Sequence, residues 1–206
     1  MRRSTSSCAG WRSVIETDRF PKVEVASVEE LHAWLETHHR QTEAVWLVTF
    51  RKVVPHKYLS TTQVLDELVA SGWIDGIRRA VDDERTMQLI SPRRTQPWAK
   101  TYRDRAERLI EEGRMQPAGL ASVRFAKTTG AWEAMADVDA LVVPADLQQE
   151  LMKAEPAWAE YQAFPPSVRR NILRWIASAK TEPTRTKRIE LTVAEARAGR
   201  RVKSNG

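Results

Sequence analysis

Apolar positions along this chain follow two periods in turn. Leu31, Trp34, Leu35 and His38 share one side of a helix. Ser27, three residues before Glu30, forms a capping box: the serine oxygen accepts the Glu30 amide while the glutamate reaches back toward the cap amide. Residues 44–52, AVWLVTFRK, abandon the helical period for β-branched and aromatic side chains and predict a strand. A second capping box, Ser60 with Gln63, opens a helix whose stripe is Val64, Leu65, Leu68 and Val69. Gly72 is placed to end it, because glycine takes the left-handed conformation at a helix terminus without steric cost. Residues 73–91 hold two short apolar runs around Asp82, Asp83, Glu84 and Arg85, which predicts a β-hairpin stopped by Pro92.

Helical spacing returns with Trp98, Tyr102, Ala106, Leu109 and Ile110 and runs to Gly113; another helix is expected over 117–127, with Gly130 as its stop. Pro144 suits a first helical turn, where its missing N–H costs little, and Leu147, Leu151 and Ala154 then supply a buried edge. Pro156 and the Pro165-Pro166 pair divide the remainder of the chain into helices. Val168, Ile172, Trp175, Ile176 and Ala179 line one side of the next helix, with Arg169, Arg170 and Arg174 largely away from it. Thr181 is placed to cap the last helix, whose apolar edge is Ile189, Val193 and Ala196. The pattern predicts an α+β chain. A flexible arm (1–24) precedes a small α/β sandwich-like domain with a mainly antiparallel sheet (25–130), then an all-helical domain (131–200) and a basic tail (201–206).

With 206 residues and 42% apolar side chains the chain can bury an ordinary core. Cys8 is the single cysteine, so neither an internal disulfide framework nor a cysteine-rich zinc site is available. The basic N-terminal stretch lacks a continuous apolar segment, and residues 44–50 are too short to span a bilayer. A cytoplasmic protein without membrane insertion is expected. Positive charge is concentrated: residues 166–206 carry +8, leaving about −2 for the rest of a chain whose formal total is +6. That asymmetry attracts phosphate backbones or an acidic protein, and equally describes a solvated helix face.

His38, His39 and His56 make no metal spacing, and no glycine-rich phosphate loop, nucleophile elbow or distinctive carboxylate pair occurs. No metal, cofactor or catalytic residue is therefore expected. The tryptophans Trp34, Trp46, Trp73, Trp98 and Trp175 sit within apolar patterns and read as core, while Trp132 and Trp158 are placed to staple the helical domain to its neighbour.

Residues 179–190, AKTEPTRTKRIE, preceded by SVRRNILRWI, resemble the signature of the bacteriocin-protection family called YdeI or OmpD-associated. GWID at 72–75, SPRR at 91–94, PWAK at 97–100 and GRMQPAGL at 113–120 match its other blocks in order, so the resemblance spans residues 25–200. It implies an N-terminal part similar to the YjbR and CyaY-like proteins, a small helical domain after it, and a part in envelope stress or bacteriocin tolerance without an established reaction. Relatives carry Cys-aromatic before GWID where this chain has Ala70-Ser71, so a cysteine nucleophile is absent there. They also carry polar side chains where this chain has Pro97, Ala99 and Tyr102, which disfavours acid–base catalysis at that block.

Two groups of residues are candidates for function. Arg169, Arg170, Arg174, Arg185 and Arg188 would meet a protein or nucleic-acid partner, making the chain a non-enzymatic binding protein. Alternatively Asp75, Arg93, Arg94, Lys100 and Arg114 would form an anion pocket of a small-ligand sensor or enzyme, because arginine forks hold carboxylate or phosphate in bidentate geometry. The plainer reading of this second group, an Asp75-Gly76 turn with arginines paired to acids, is preferred.

Overall fold

The computed structural model describes residues 17–202. Cys8, the first part of the expected arm and Lys203 lie outside them. After a 3-10 turn at Thr17–Arg19 come β1 (Lys22–Glu24), α1 (Val28–Thr37), β2 (Val45–Phe50), a 3-10 turn at Pro55–Lys57 and α2 (Thr61–Ala70). The hairpin β3 (Trp73–Ala80) and β4 (Arg85–Pro92) comes next. The sheet runs β1-β2-β4-β3, with β1 parallel to β2 and the remaining pairs antiparallel. Residues 22–24, expected in a loose arm, form its edge strand instead. Three residues are too few to display a period.

The Ser60–Gln63 box forms in full, while in the Ser27–Glu30 pair the glutamate takes the amide one residue before the cap. Glu30 N donates to Ser27 Oγ at 3.2 Å, while Glu30 Oε2 accepts from the Ala26 amide at 2.7 Å. Ser60 and Gln63 exchange the reciprocal pair at 2.9 and 3.2 Å. Leu31, Leu35, Val64 and Leu68 then bury against Val45, Leu47, Trp73 and Ile90 of the sheet, as the period-2 and period-3.6 patterns require. In the hairpin turn Asp82 accepts the amides of Glu84 and Arg85 at 3.0 and 2.7 Å and grips the Arg85 guanidinium. Arg85 thereby holds the Asp82 carboxyl below the usual carboxylate range.

Two compact units result. The first joins residues 17–68 with Trp73–Pro92; the second joins Val69–Gly72 with the chain from Arg93 onward. The second contains α3 (Lys100–Glu111), α4 (Pro117–Thr128), α5 (Ala136–Asp139), α6 (Ala145–Lys153), α7 (Ala157–Ala163), α8 (Pro166–Ala177) and α9 (Glu182–Arg197). Helices α3 and α4 pack there because Trp98, Ala106, Leu109, Val123, Ala126 and Trp132 close around Val69 and Ala70. A further core gathers Leu147, Leu151, Tyr161, Ile172, Leu173, Ile176 and Ile189, with α9 lying against α6, α7 and α8. Trp132 packs 5.0 Å from Trp98, and Trp158 stacks on Tyr161, so both belong to the interior of this unit.

Gly119 in α4 is fixed by space. A Cβ there would overlap the Ala70 carbonyl, a backbone atom that cannot swing aside. Gly113, by contrast, has φ +68° and open surroundings. Gly119→Ala is therefore expected to cost about 3 kcal/mol or more through overpacking, against about 1–2 kcal/mol for Gly113→Ala, where only left-handed strain is added. Chemical denaturation of the two variants checks that ranking.

Candidate functional site

Helices α3 to α9 all begin without a side-chain hydrogen bond from the N-cap residue. Pro144 occupies the cap itself, one position before the expected first turn. Thr181 is at the cap of α9, but its hydroxyl pairs with the Thr184 hydroxyl at 2.9 Å and not with an amide. At α3 a carboxylate from another element serves the helix start instead. Asp139 accepts the Lys100 amide at 2.9 Å, acting as a remote cap for α3. Arg103 donates to the Trp132 carbonyl at 3.1 Å and pairs with Glu133 at 2.8 Å and Asp139 at 3.3 Å.

The basic C-terminal residues divide into two kinds. Arg185 forks onto Asp146 at 2.7 and 2.9 Å, tying α9 to α6. Arg188 donates to the Trp175 carbonyl and, at 2.9 Å, to Ser178 Oγ, while its guanidinium lies 5.1 Å from the Trp175 ring centroid. It thus closes the C-terminal end of α8. Arg169 bonds Gln162 of α7 at 3.0 Å, and its Nε is buried without a partner. Arg170 and Arg174 differ. They stand one turn apart on the side of α8 opposite Ile172, Leu173 and Ile176, and neither bonds to another described residue. Lys180, Lys187, Arg197 and Arg201 are exposed and likewise make no hydrogen bond or ion pair among the described residues.

The second candidate group has one member in the first unit and four in the second. Asp75 lies in β3 of the first unit, beside a register irregularity between Asp75 and Arg78; with Gly76 it therefore forms part of a strand and not the expected turn. In the second unit Arg93 is buried, its guanidinium 4.1 Å from the Trp98 ring and 4.9 Å from the Tyr102 ring, with Nη1 near the Gln96 and Pro97 carbonyls. Arg94 is exposed, and its amide donates to Gln96 Oε1 at 2.6 Å. Lys100 pairs with Asp104 at 2.6 Å and Arg114 with Glu112 at 3.2 Å. Lys100 opens α3 and Arg114 lies just past its end, so about 18 Å of helix separates them. Tyr102 and Trp98 serve here as a platform for Arg93.

Sequence reading had no means of separating the engaged arginines from the free ones, since Asp146 and Arg185 lie 39 residues apart. It also passed over Gln88, a buried polar side chain opposite Leu47 in the sheet. The signal was slight: a glutamine two residues before Ile90, on the same parity of the strand. Among the described residues no group of three His, Cys, Asp or Glu side chains is arranged to hold a metal, and no helix is long and apolar enough to cross a membrane.

Residues 140–199 match the family model described as bacteriocin-protection, YdeI or OmpD-associated. Residues 23–122 match the model of a domain of unknown function, DUF8412. No curated protein and no solved structure matches the chain.

The Arg185 fork holds the Asp146 carboxyl below its ordinary range. A carboxylate depressed in the folded state contributes stability above its unfolded pKa and loses it as pH falls through the folded value. Screened by solvent, the pair is worth about 1 kcal/mol. Asp146→Asn is thus expected to lower stability by about that amount at pH 7 and to converge with the parent below the carboxylate range. Urea unfolding from pH 7 to pH 2 measures this convergence, and a constant gap would refute it.

Proposed function

From the bacteriocin-protection, YdeI or OmpD-associated domain that the chain carries at residues 140–199, we propose a binding protein that contributes to bacteriocin or envelope-stress tolerance by contacting an acidic macromolecule. The contact surface is the exposed side of α8, centred on Arg170 and Arg174 and extended by Lys180. One observation carries this reading. Arg185, Arg188 and Arg169 are committed to bonds inside the domain, whereas Arg170 and Arg174, on one helix face, bond to no other described residue. Two unpaired guanidiniums one turn apart match the spacing of successive acidic groups, and their binding energy is not spent on intramolecular partners.

The partner is a nucleic acid or an acidic protein face. For a nucleic acid, each phosphate contact releases condensed counterions, so affinity falls steeply with salt. Fluorescence anisotropy with a duplex and with a single strand across a salt series is the test. Arg170→Ala with Arg174→Ala should weaken binding and make the slope of log K against log salt shallower by about 1.8. If capture from lysate survives nuclease treatment, the same double substitution should abolish capture of the acidic protein. Binding indifferent to both substitutions would overturn the assignment of the surface.

A further inference from the structure

The first unit contains a cavity of about 190 Å³ between β2, the hairpin and the start of α2. Arg51, Lys52 and Arg78 stand around it, and among the described residues no carboxylate lines it. Thr49 and Gln88 form its polar floor, exposed by 8% and 4% respectively. We propose that this cavity binds a small phosphate-bearing ligand.

Gln88 carries the chemistry furthest. Its Oε1 accepts from Arg78 Nη2, which orients the amide and turns Nε2 away from the arginine. That Nε2 is buried and has no hydrogen-bond partner among the described residues. A buried amide donor left unmade is costly, so a water or a ligand that reaches this group gains its hydrogen bond. The Thr49 hydroxyl also bonds to no described residue. Thr61 opens the ten-residue helix α2, so the cavity meets the positive end of a helix in addition to three cations. Every feature is a donor or a positive charge, and the occupant must therefore be rich in acceptors and negative.

Phosphate fits better than carboxylate for two physical reasons. The donors come from β2, β3, β4 and the α2 terminus, and converge from several directions on a tetrahedral group; a planar carboxylate offers two oxygens in one plane. Three cations with no carboxylate among the described lining residues also balance a dianion more closely than a monoanion. The remaining wall, Phe50, Tyr58, Leu59 and Val64, is largely apolar and leaves room for a small organic body. Lys57, outside the lining, lies 4.9 Å from the Phe50 ring, and Lys52 lies 5.8 Å from the Tyr58 ring.

The test is an NMR titration of the full chain, following the Gln88 side-chain amide, assigned by its disappearance in Gln88→Leu. Inorganic phosphate and glycerol 2-phosphate are added in turn, with sodium acetate at matched ionic strength as the carboxylate probe. Both phosphates are expected to shift the Gln88 resonances saturably, and acetate is not. Arg78→Met should weaken phosphate binding at least tenfold. Lys52→Ala, at an exposed position where folding is not at stake, should weaken it several-fold. No saturable shift, an equal response to acetate, or binding that persists unchanged in both variants would overturn the proposal.

Discussion

A helix that starts without a side-chain cap leaves amides that some other atom must satisfy, and a helix that stops leaves carbonyls in the same state. The second unit is built from short helices with this deficit. Behind its apolar cores, charged side chains that cross from one element to another fasten some of these helices. Asp139 serves the start of α3, Arg188 the end of α8, and the Arg185–Asp146 fork fastens α9 to α6. Charge-assisted hydrogen bonds are about twice as strong as neutral ones, which suits them to this task. The apolar core fills in behind them, around Tyr161, whose pKa is pushed up to about 12 by burial.

This use of arginine gives the surface its meaning. A basic helical domain invites the idea that all its charge faces a partner, yet much of that charge is internal structure. Arg188 and Arg185 hold helices together, and the basic side chains that bond to no other described residue lie on the outer side of α8 and after it. Arg174 near the C-terminal end of α8 is also favoured there by the helix dipole, so its presence costs the free protein nothing. The first unit obeys the same logic in reverse. Arg51, Lys52 and Arg78 surround a cavity and are not consumed by acids, whereas Arg85 is held by Asp82 and Glu24.

Local signals in the sequence translated directly into structure wherever the physics is local. Ser27 with Glu30 and Ser60 with Gln63 are four-residue devices, and in both the serine accepts the expected amide. Gly72, Gly113 and Gly130 stopped helices because each takes a positive φ that other residues resist. The mainly antiparallel sheet arose from a hairpin whose turn residues are adjacent in the chain. Whatever depends on distant residues was not legible. Thr181 looked like a cap, but its hydroxyl found Thr184. Asp75 and Gly76 read as a turn, although the strand continues through them past an irregularity in register. The candidate arginines were identical in sequence terms, and only the fold shows which of them have partners.

The central claim is that the arginines of α8 and α9 divide into structural ties and free contacts. Thermal unfolding of Arg188→Ala beside the double variant Arg170→Ala, Arg174→Ala tests it most directly. Loss of the Arg188 bonds should cost about 1–2 kcal/mol and lower Tm by several degrees, while the double variant should melt within a degree or two of the parent. A double variant that unfolds as early as Arg188→Ala, or an Arg188→Ala that melts like the parent, would contradict the division.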